Sequence, residues 1–219
     1  MHPSSFEIIR LFARHYVQKE ARILEVGSWN AKNQQNVKVL FPHCTEYVGM
    51  DISEGPGVDV VAALPYLWHE QFEQRFDVVL SVQVFEHNPF FWLTTLNMSL
   101  VLQRGGVMLI VAPSAGNVHR YPLDCWRFYP DAGLALAKYS FCELVESNVL
   151  GAEFPRSGAA LWKDWFVVLR KETSNSEAEE TMRRILLSHN HLTNVQRLSL
   201  TGNTPLIDSL REIESRGKA

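Results

Sequence analysis

The stretch His119-Arg-Tyr-Pro-Leu-Asp-Cys-Trp-Arg-Phe128 places an imidazole five residues ahead of a carboxylate, Asp124, and eight ahead of a guanidinium, Arg127. An imidazole ordinarily titrates near neutrality, which suits removal of a proton from a hydroxyl, and a nearby carboxylate can orient it. His119 is therefore the first candidate for a catalytic base, with Asp124 as its partner. Trp126 and Arg127 are the candidate substrate contacts. Other roles for the same residues stay open: His119 as a loop cap or substrate-holding group, Asp124 with Arg127 as an ion pair holding the loop, and Trp126 with Tyr129 as either a stacking platform or a plug beneath it.

A second constellation lies nearer the N-terminus. In Glu25-Val-Gly-Ser-Trp-Asn30, Gly27 allows a tight turn that brings backbone amides near a ligand, and Asp51 follows 24 residues after that glycine. An acid at that distance can accept both hydroxyl hydrogens of a ribose, so the pair points to an adenosine-containing ligand. A dinucleotide would need Gly-x-Gly-x-x-Gly to lay its pyrophosphate on a helix N-terminus, but positions 27, 29 and 32 are Gly, Trp and Lys. The acid at position 25 suits an ammonium-bearing ligand rather than a diphosphate. Asp124 and Glu86 are two scattered carboxylates, short of a metal-ligand set, and no metal is expected.

These residues fall at the ends of short apolar runs. The runs are Arg22-Ile-Leu-Glu-Val, Tyr47-Val-Gly-Met-Asp51, Val58–Ala62, Phe76–Ser81 and Val107–Ala112, with helical stretches read at Asn30–Lys38, Leu67–Arg75 and Phe90–Leu102. Near-continuous apolar strands alternating with helices predict a parallel sheet covered on both faces, where ligands lie at the carboxyl ends of the strands. Phe141–Val149 and Trp162–Lys171 have no helix between them and read as an antiparallel pair closing the sheet. The expected fold is thus α/β, doubly wound and Rossmann-like, a mostly parallel seven-stranded sheet with an antiparallel last strand.

Helices flank this unit. Ser4-x-x-Glu7 has the capping-box pattern ahead of Ile8, Ile9 and Phe12, and Ser176-x-x-Glu179 has it ahead of Met182, Ile185 and Leu186. Thr204-Pro205 starts a further helix with Leu206, Ile207, Leu210 and Ile213 on one face. The chain divides into residues 1–172 and a helical extension, 173–219, which has three options: packing on the sheet, lidding the site or forming a homodimer seam.

Composition narrows the classes. With 219 residues, 46% hydrophobic, 21% charged and a net charge of -3, the chain has the make-up of a folded domain and not of a nucleic-acid binder driven by counterion release. Cys44, Cys125 and Cys142 are odd in number without Cys-x-x-Cys spacing, so neither disulfides nor zinc-ribbon chemistry is expected. Glu7 and Arg10 interrupt the N-terminal stretch where a signal peptide needs an apolar core, and Val107–Pro113 is far below the ~20 residues of a membrane span. A cytoplasmic location is the expectation.

From Ile23 to Lys171 the chain resembles the class I S-adenosylmethionine-dependent methyltransferases. The resemblance is carried by Leu24-Glu-Val-Gly-Ser, Tyr47-Val-Gly-Met-Asp-Ile, Phe76-Asp-Val-Val-Leu-Ser-Val-Gln-Val-Phe-Glu-His87 and Leu102-Gln-Arg-Gly-Gly-Val-Met-Leu-Ile-Val-Ala-Pro113. It implies S-adenosylmethionine as cofactor, with Glu25, Gly27 and Ser28 at the methionine part and Asp51 at the ribose. Ile52, Ala63 and Leu64 would meet the adenine, Ser81, Val82 and Gln83 the sulfonium side, and Glu86 and His87 would line the pocket beside it. The family usually has a small residue where Trp29 stands, so the indole either turns outward or narrows the methionine end. Gly55-Pro-Gly57 and the His119–Phe128 stretch are similar to a subgroup associated with glycan and surface-polysaccharide biosynthesis. That likeness implies O-methylation of a small hydroxylated acceptor, a sugar or glycan precursor. The alternative is a non-catalytic adenosine-binding scaffold acting through its C-terminal helices.

Overall fold

All seven apolar runs form strands: β1 (Arg22–Val26), β2 (Glu46–Asp51), β3 (Val60–Val61), β4 (Phe76–Val82), β5 (Leu102–Pro113), β6 (Cys142–Val149) and β7 (Asp164–Lys171). The structure is a computed structural model and describes residues 3–30, 36–62, 68–150, 161–172, 175–189, 191 and 205–216. The strands make one sheet in the order β3-β2-β1-β4-β5-β7-β6. Strands β1 to β5 pair in parallel, and β7 runs antiparallel to both β5 and β6. The fold is the Rossmann-like one expected.

Period-two alternation divides two cores across the sheet. Met108, Ile110 and Ala112 of β5 join Trp165, Val167 and Leu169 of β7 on one face, and Val107, Leu109 and Val111 join Val168 on the other. Helix α1 (Pro3–Tyr16) covers the second face with Ile8, Ile9 and Phe12. Helices α2 (Phe91–Val101) and α3 (Pro130–Tyr139) cover the first with Met98, Val101, Leu136 and Ala137. Helix α4 (Ser176–Ser188) forms a further layer, its Met182 and Leu186 packed on Leu93, Leu96 and Leu100 of α2. Of the options for the extension, α4 thus takes packing onto the sheet domain. Helix α5 (Pro205–Arg216) exposes Leu206 and Ile213.

Several local expectations are corrected. Ser4 does not cap α1, which already includes Pro3; the buried Ser4 and Ser5 hydroxyls both donate to Asp164 Oδ2, at 2.5 and 2.9 Å. Glu7 pairs with Arg10 instead of reaching back. The cap of α4 is Asn175, whose side chain accepts from the Ala178 amide. The described part of the helix read at Asn30–Lys38 is a 3-10 turn, Val37–Leu40, and that of Leu67–Arg75 holds only the 3-10 turn His69–Gln71. Helix α3 has no clear helical pattern in the sequence, although Pro130 stands in its first turn and Asp131 follows. No helix among the described residues is long and apolar enough to cross a membrane.

Candidate functional site

Strand order reverses between β1 and β4, which opens a crevice at their carboxyl ends, with Val26 opposite Ser81. Gly27 leaves β1 with φ +85°, and a side chain there would collide with Val84, so only glycine fits. The Gly27 and Ser28 amides both donate to the Met50 carbonyl, at 2.8 and 3.1 Å, binding this turn to β2. Asp51 then fixes the next residue: its Oδ2 accepts from the Trp29 amide at 3.0 Å and its Oδ1 from the Ile52 amide at 2.7 Å. Each carboxylate oxygen keeps acceptor capacity beyond that one bond. Ile52 beside it is 63% exposed.

The Trp29 side chain reaches the loop after β2. Its indole lies on Gly55, where an added methyl would come 2.3 Å from Nε1, and Asn30 donates to the Pro56 carbonyl. Gly55-Pro-Gly57 is therefore the other half of the Trp29 contact.

Glu25 is buried, and Tyr47 donates its phenol hydrogen to Glu25 Oε2 at 2.7 Å. Burial, aided by the negative Asp51, pushes the Glu25 carboxyl up to about 7 against the opposing effect of the Tyr47 hydrogen bond. The hydroxyls of Ser28 and Ser81 are buried without a hydrogen-bond partner among the described residues. Val82 packs against the core under α1. Gln83, with φ +57°, turns its amide to Ser5 Oγ (3.2 Å) and Asp164 Oδ1 (3.0 Å), so its side chain is committed to protein partners. Ala63 and Leu64 lie outside the described residues.

The His119–Phe128 loop closes on the end of β4. The Glu86 carbonyl accepts from the Cys125 and Trp126 amides, at 2.6 and 3.3 Å, and Phe128 stacks on Trp165 with centroids 5.0 Å apart. Phe128 is thus the plug beneath this loop. Trp126 lies edge-on to Phe91 and Trp92, donates Nε1–H to the Asn88 carbonyl and stays 38% exposed, while Tyr129 is 66% exposed.

Asp124 and Arg127 form the ion pair, with Nη1 to Oδ1 at 2.6 Å and Nη2 to Oδ2 at 2.9 Å. Arg127 also donates to the Trp126 and Asn117 carbonyls, so its guanidinium holds the loop. The same Asp124 Oδ2 accepts from the His119 amide at 2.6 Å and lies 3.4 Å from His119 Nδ1. Burial raises the Asp124 carboxyl, but the Arg127 and His119 hydrogen bonds outweigh it and hold the group below the usual carboxylate range. One carboxylate therefore both anchors the loop and faces the imidazole.

Glu86, His87 and His119 converge here: one ligating atom from each lies within 4.8 Å of the others. Glu86 is fully buried, and neither carboxylate oxygen accepts a hydrogen bond from any described residue. Burial pushes its carboxyl up to about 8, opposed by its own backbone N–H, which lies near without hydrogen-bond geometry, and by Arg127. His87 Nδ1–H donates to the Leu123 carbonyl at 2.6 Å, which directs Nε2 toward Glu86 Oε1, 3.5 Å away; burial lowers its proton affinity. The sequence names each of these three residues as a site candidate, but not their convergence, which the fold creates. A separate recess of about 280 Å³, between α1 and residues 40–44, lies at the amino end of β1 and away from this chemistry.

No protein-family model matches the sequence, and no curated protein matches it. Solved structures do. A Burkholderia thailandensis 1,6-didemethyltoxoflavin-N1-methyltransferase, bound to 1,6-didemethyltoxoflavin and S-adenosylhomocysteine, matches with a TM-score of 0.58 at 16% identity, over 77% of this chain and 78% of that one. The fold is the methyltransferase fold. An S-adenosylmethionine-dependent methyltransferase from Mesorhizobium loti matches with a TM-score of 0.55 at 13% identity, over 77% and 98% of the two chains. The [4+2]-cyclase SpnF matches with 0.56 at 13% identity, over 77% and 81%. The fold shared by these proteins thus carries more than one chemistry, and activity has to be argued from the site.

Proposed function

We propose that this protein transfers the methyl group of S-adenosylmethionine to a hydroxyl of a small acceptor, a sugar or glycan precursor. The observation that carries the reading is the pairing of Asp51 with Ile52: an acid pinned by two backbone amides stands next to a 63% exposed aliphatic side chain. Asp51 would accept from a ribose diol, and Ile52 would offer its side chain to an adenine ring. Ala63 and Leu64 would complete the adenine side, and the unpartnered Ser28 and Ser81 hydroxyls add polar capacity nearby.

When bound, the cofactor supplies an electrophilic methyl on a sulfonium. Glu25, with Tyr47, is an acid for the methionine ammonium, and Gly27 lets the backbone approach. Ser81, Val82 and the backbone of Gln83 would hold the sulfonium side, with His87 beside them. His119, oriented by Asp124, takes the proton of the acceptor hydroxyl. Trp126 and Tyr129 offer exposed ring faces for a sugar, whereas Arg127 acts by holding Asp124. Alignment of acceptor and methyl carbon supplies a further large share of the rate.

Transfer of radiolabelled methyl from S-adenosylmethionine to a panel of nucleotide sugars and glycan fragments tests this. Labelled product that depends on His119 supports the reading. Cofactor binding without transfer to any hydroxylated acceptor in the panel counts against the acceptor class, and no cofactor binding counts against the whole reading.

A further inference from the structure

The convergence of Glu86, His87 and His119 exceeds what a single proton-accepting imidazole requires. We infer that these three side chains form a binding site for one divalent transition-metal cation, with open coordination positions toward the acceptor. Two imidazoles and one carboxylate suit Zn²⁺, Fe²⁺, Co²⁺ or Mn²⁺ better than Mg²⁺ or Ca²⁺, which favour all-oxygen shells.

Four observations support the site independently. The three donor atoms already lie within 4.8 Å of one another. Ligands about 2.0–2.2 Å from one ion sit roughly 3.0–3.6 Å apart, so closure needs shifts on the order of 1 Å. The Glu86 Oε1 to His87 Nε2 distance is 3.5 Å, and the His119 side chain is 34% exposed on a loop, with room for such a shift.

Apart from His87 Nε2 at 3.5 Å, the Glu86 carboxyl has no polar partner among the described residues. A fully buried carboxyl with both oxygens unbonded is costly, and a cation removes that cost. His87 is held from behind, as metal-bound histidines are, by the Leu123 carbonyl at 2.6 Å, and His119 Nδ1 faces Asp124 Oδ2 at 3.4 Å and Arg127 Nη2 at 3.5 Å. Because a carbonyl only accepts, His87 carries its hydrogen on Nδ1 and presents an Nε2 lone pair to Glu86.

The surrounding charge also favours a dication. The charged groups acting on Glu86 are Asp124 and Asp164, both negative, and Arg127, positive. With Glu86 ionised the set sums to two net negative charges, and Arg127 is already neutralised by its two bonds to Asp124.

The binding site itself stands apart from the methyl-transfer reading, whereas a role for the cation in holding the acceptor hydroxyl rests on it. A His119 that ligates a cation has no lone pair left for the acceptor proton, so its role as base belongs to the metal-free protein.

The test is titration of the chelator-stripped full-length protein with Co²⁺ and with Zn²⁺, followed by visible absorption and calorimetry. One equivalent per chain is expected, weakened at least about tenfold in Glu86→Gln and in His119→Ala. It should be unchanged when His189 and His191, whose rings stack 6.3 Å apart on the surface, are both replaced by Ala. In the wild-type protein Co²⁺ should shift the ring-proton resonances of His87 and His119, a readout that needs no variant to fold. Binding no tighter than millimolar, full-strength binding by Glu86→Gln, or shifts confined to other histidines would overturn the site. S-adenosylhomocysteine binding measured on the same sample separates this outcome from failure of the cofactor reading.

Discussion

The Trp29 indole rests on Gly55, so close that a Cβ at position 55 would lie 2.3 Å from Nε1. The contact explains how a large aromatic is tolerated in the turn after β1: the ring is received by a neighbouring loop that lacks a side chain. Gly55→Ala should destabilise the protein by roughly 1–3 kcal/mol, the usual cost of overpacking. In a Trp29→Ala background the same change should cost almost nothing. Urea unfolding of the double-mutant cycle measures this coupling, and additive effects would mean the two residues do not meet as described.

Glu25 gives a pH signature. Its carboxyl is raised from 4.5 to about 7 in the folded protein, so the protonated form is favoured by folding. The resulting stability is fully present below about pH 4.5 and is lost as pH rises through about 7. Glu25→Gln, which keeps an acceptor for the Tyr47 hydroxyl, should leave Tm nearly unchanged at pH 5 and raise it at pH 8, by the equivalent of roughly 3 kcal/mol. Thermal melts at the two pH values check this. A ligand ammonium favours the ionised acid, so affinity for S-adenosylhomocysteine should also strengthen from pH 6 to pH 8 in the wild type and not in Glu25→Gln.

The C-terminal segment is held by a buried ion pair. Lys171 Nζ lies 3.0 Å from Glu179 Oε1 and donates to the Leu102 carbonyl at 2.8 Å, joining β7, β5 and α4. Glu179→Ala should cost about 3 kcal/mol because it strands a buried ammonium. Truncation after Glu172 should lower Tm further, since it also uncovers Leu93, Leu96 and Leu100. Truncation before α5 should leave Tm within a few degrees of the full chain. A protein shortened to residue 172 that melts like the wild type would contradict this placement of α4.

Loop and imidazole can be separated by kinetics. His119→Ala should lower turnover of a true acceptor by about 10² or more, the usual range for removing a positioned base, while S-adenosylhomocysteine affinity stays within twofold. Arg127→Ala should instead raise the acceptor KM and lower Tm, because it frees Asp124 and with it the loop. Equal loss of cofactor affinity in both variants would place His119 outside the acceptor side.

How far the sequence reveals all this depends on the range of the forces involved. Strands buried on both faces must be apolar at nearly every position, so β1, β4 and β5 are visible as runs, and the acid that ends β2 is visible by its place. Helix α3 is hidden by Gly133, a poor helix residue that the fold requires because a Cβ there would meet Ser147 Oγ at 2.4 Å. The capping serines mislead because Ser4 and Ser5 serve Asp164, 160 and 159 residues away. The same holds for the cluster: His119 is remote in sequence from Glu86 and His87, and what unites them is the Glu86 carbonyl accepting two amides of a distant loop. Gln83 stands where the sequence suggests a ligand contact, and the bond from its side chain to Asp164, 81 residues away, is invisible in the local pattern.

The most direct measurement is calorimetric titration of the full-length protein with S-adenosylhomocysteine, alongside NAD, for the wild type and Asp51→Ala. Saturable binding of S-adenosylhomocysteine alone, at one equivalent and lost by at least tenfold in Asp51→Ala, is the predicted result. Absence of binding in the wild type, or undiminished binding in a folded Asp51→Ala, would contradict the assignment of the Asp51–Ile52 edge as the cofactor site.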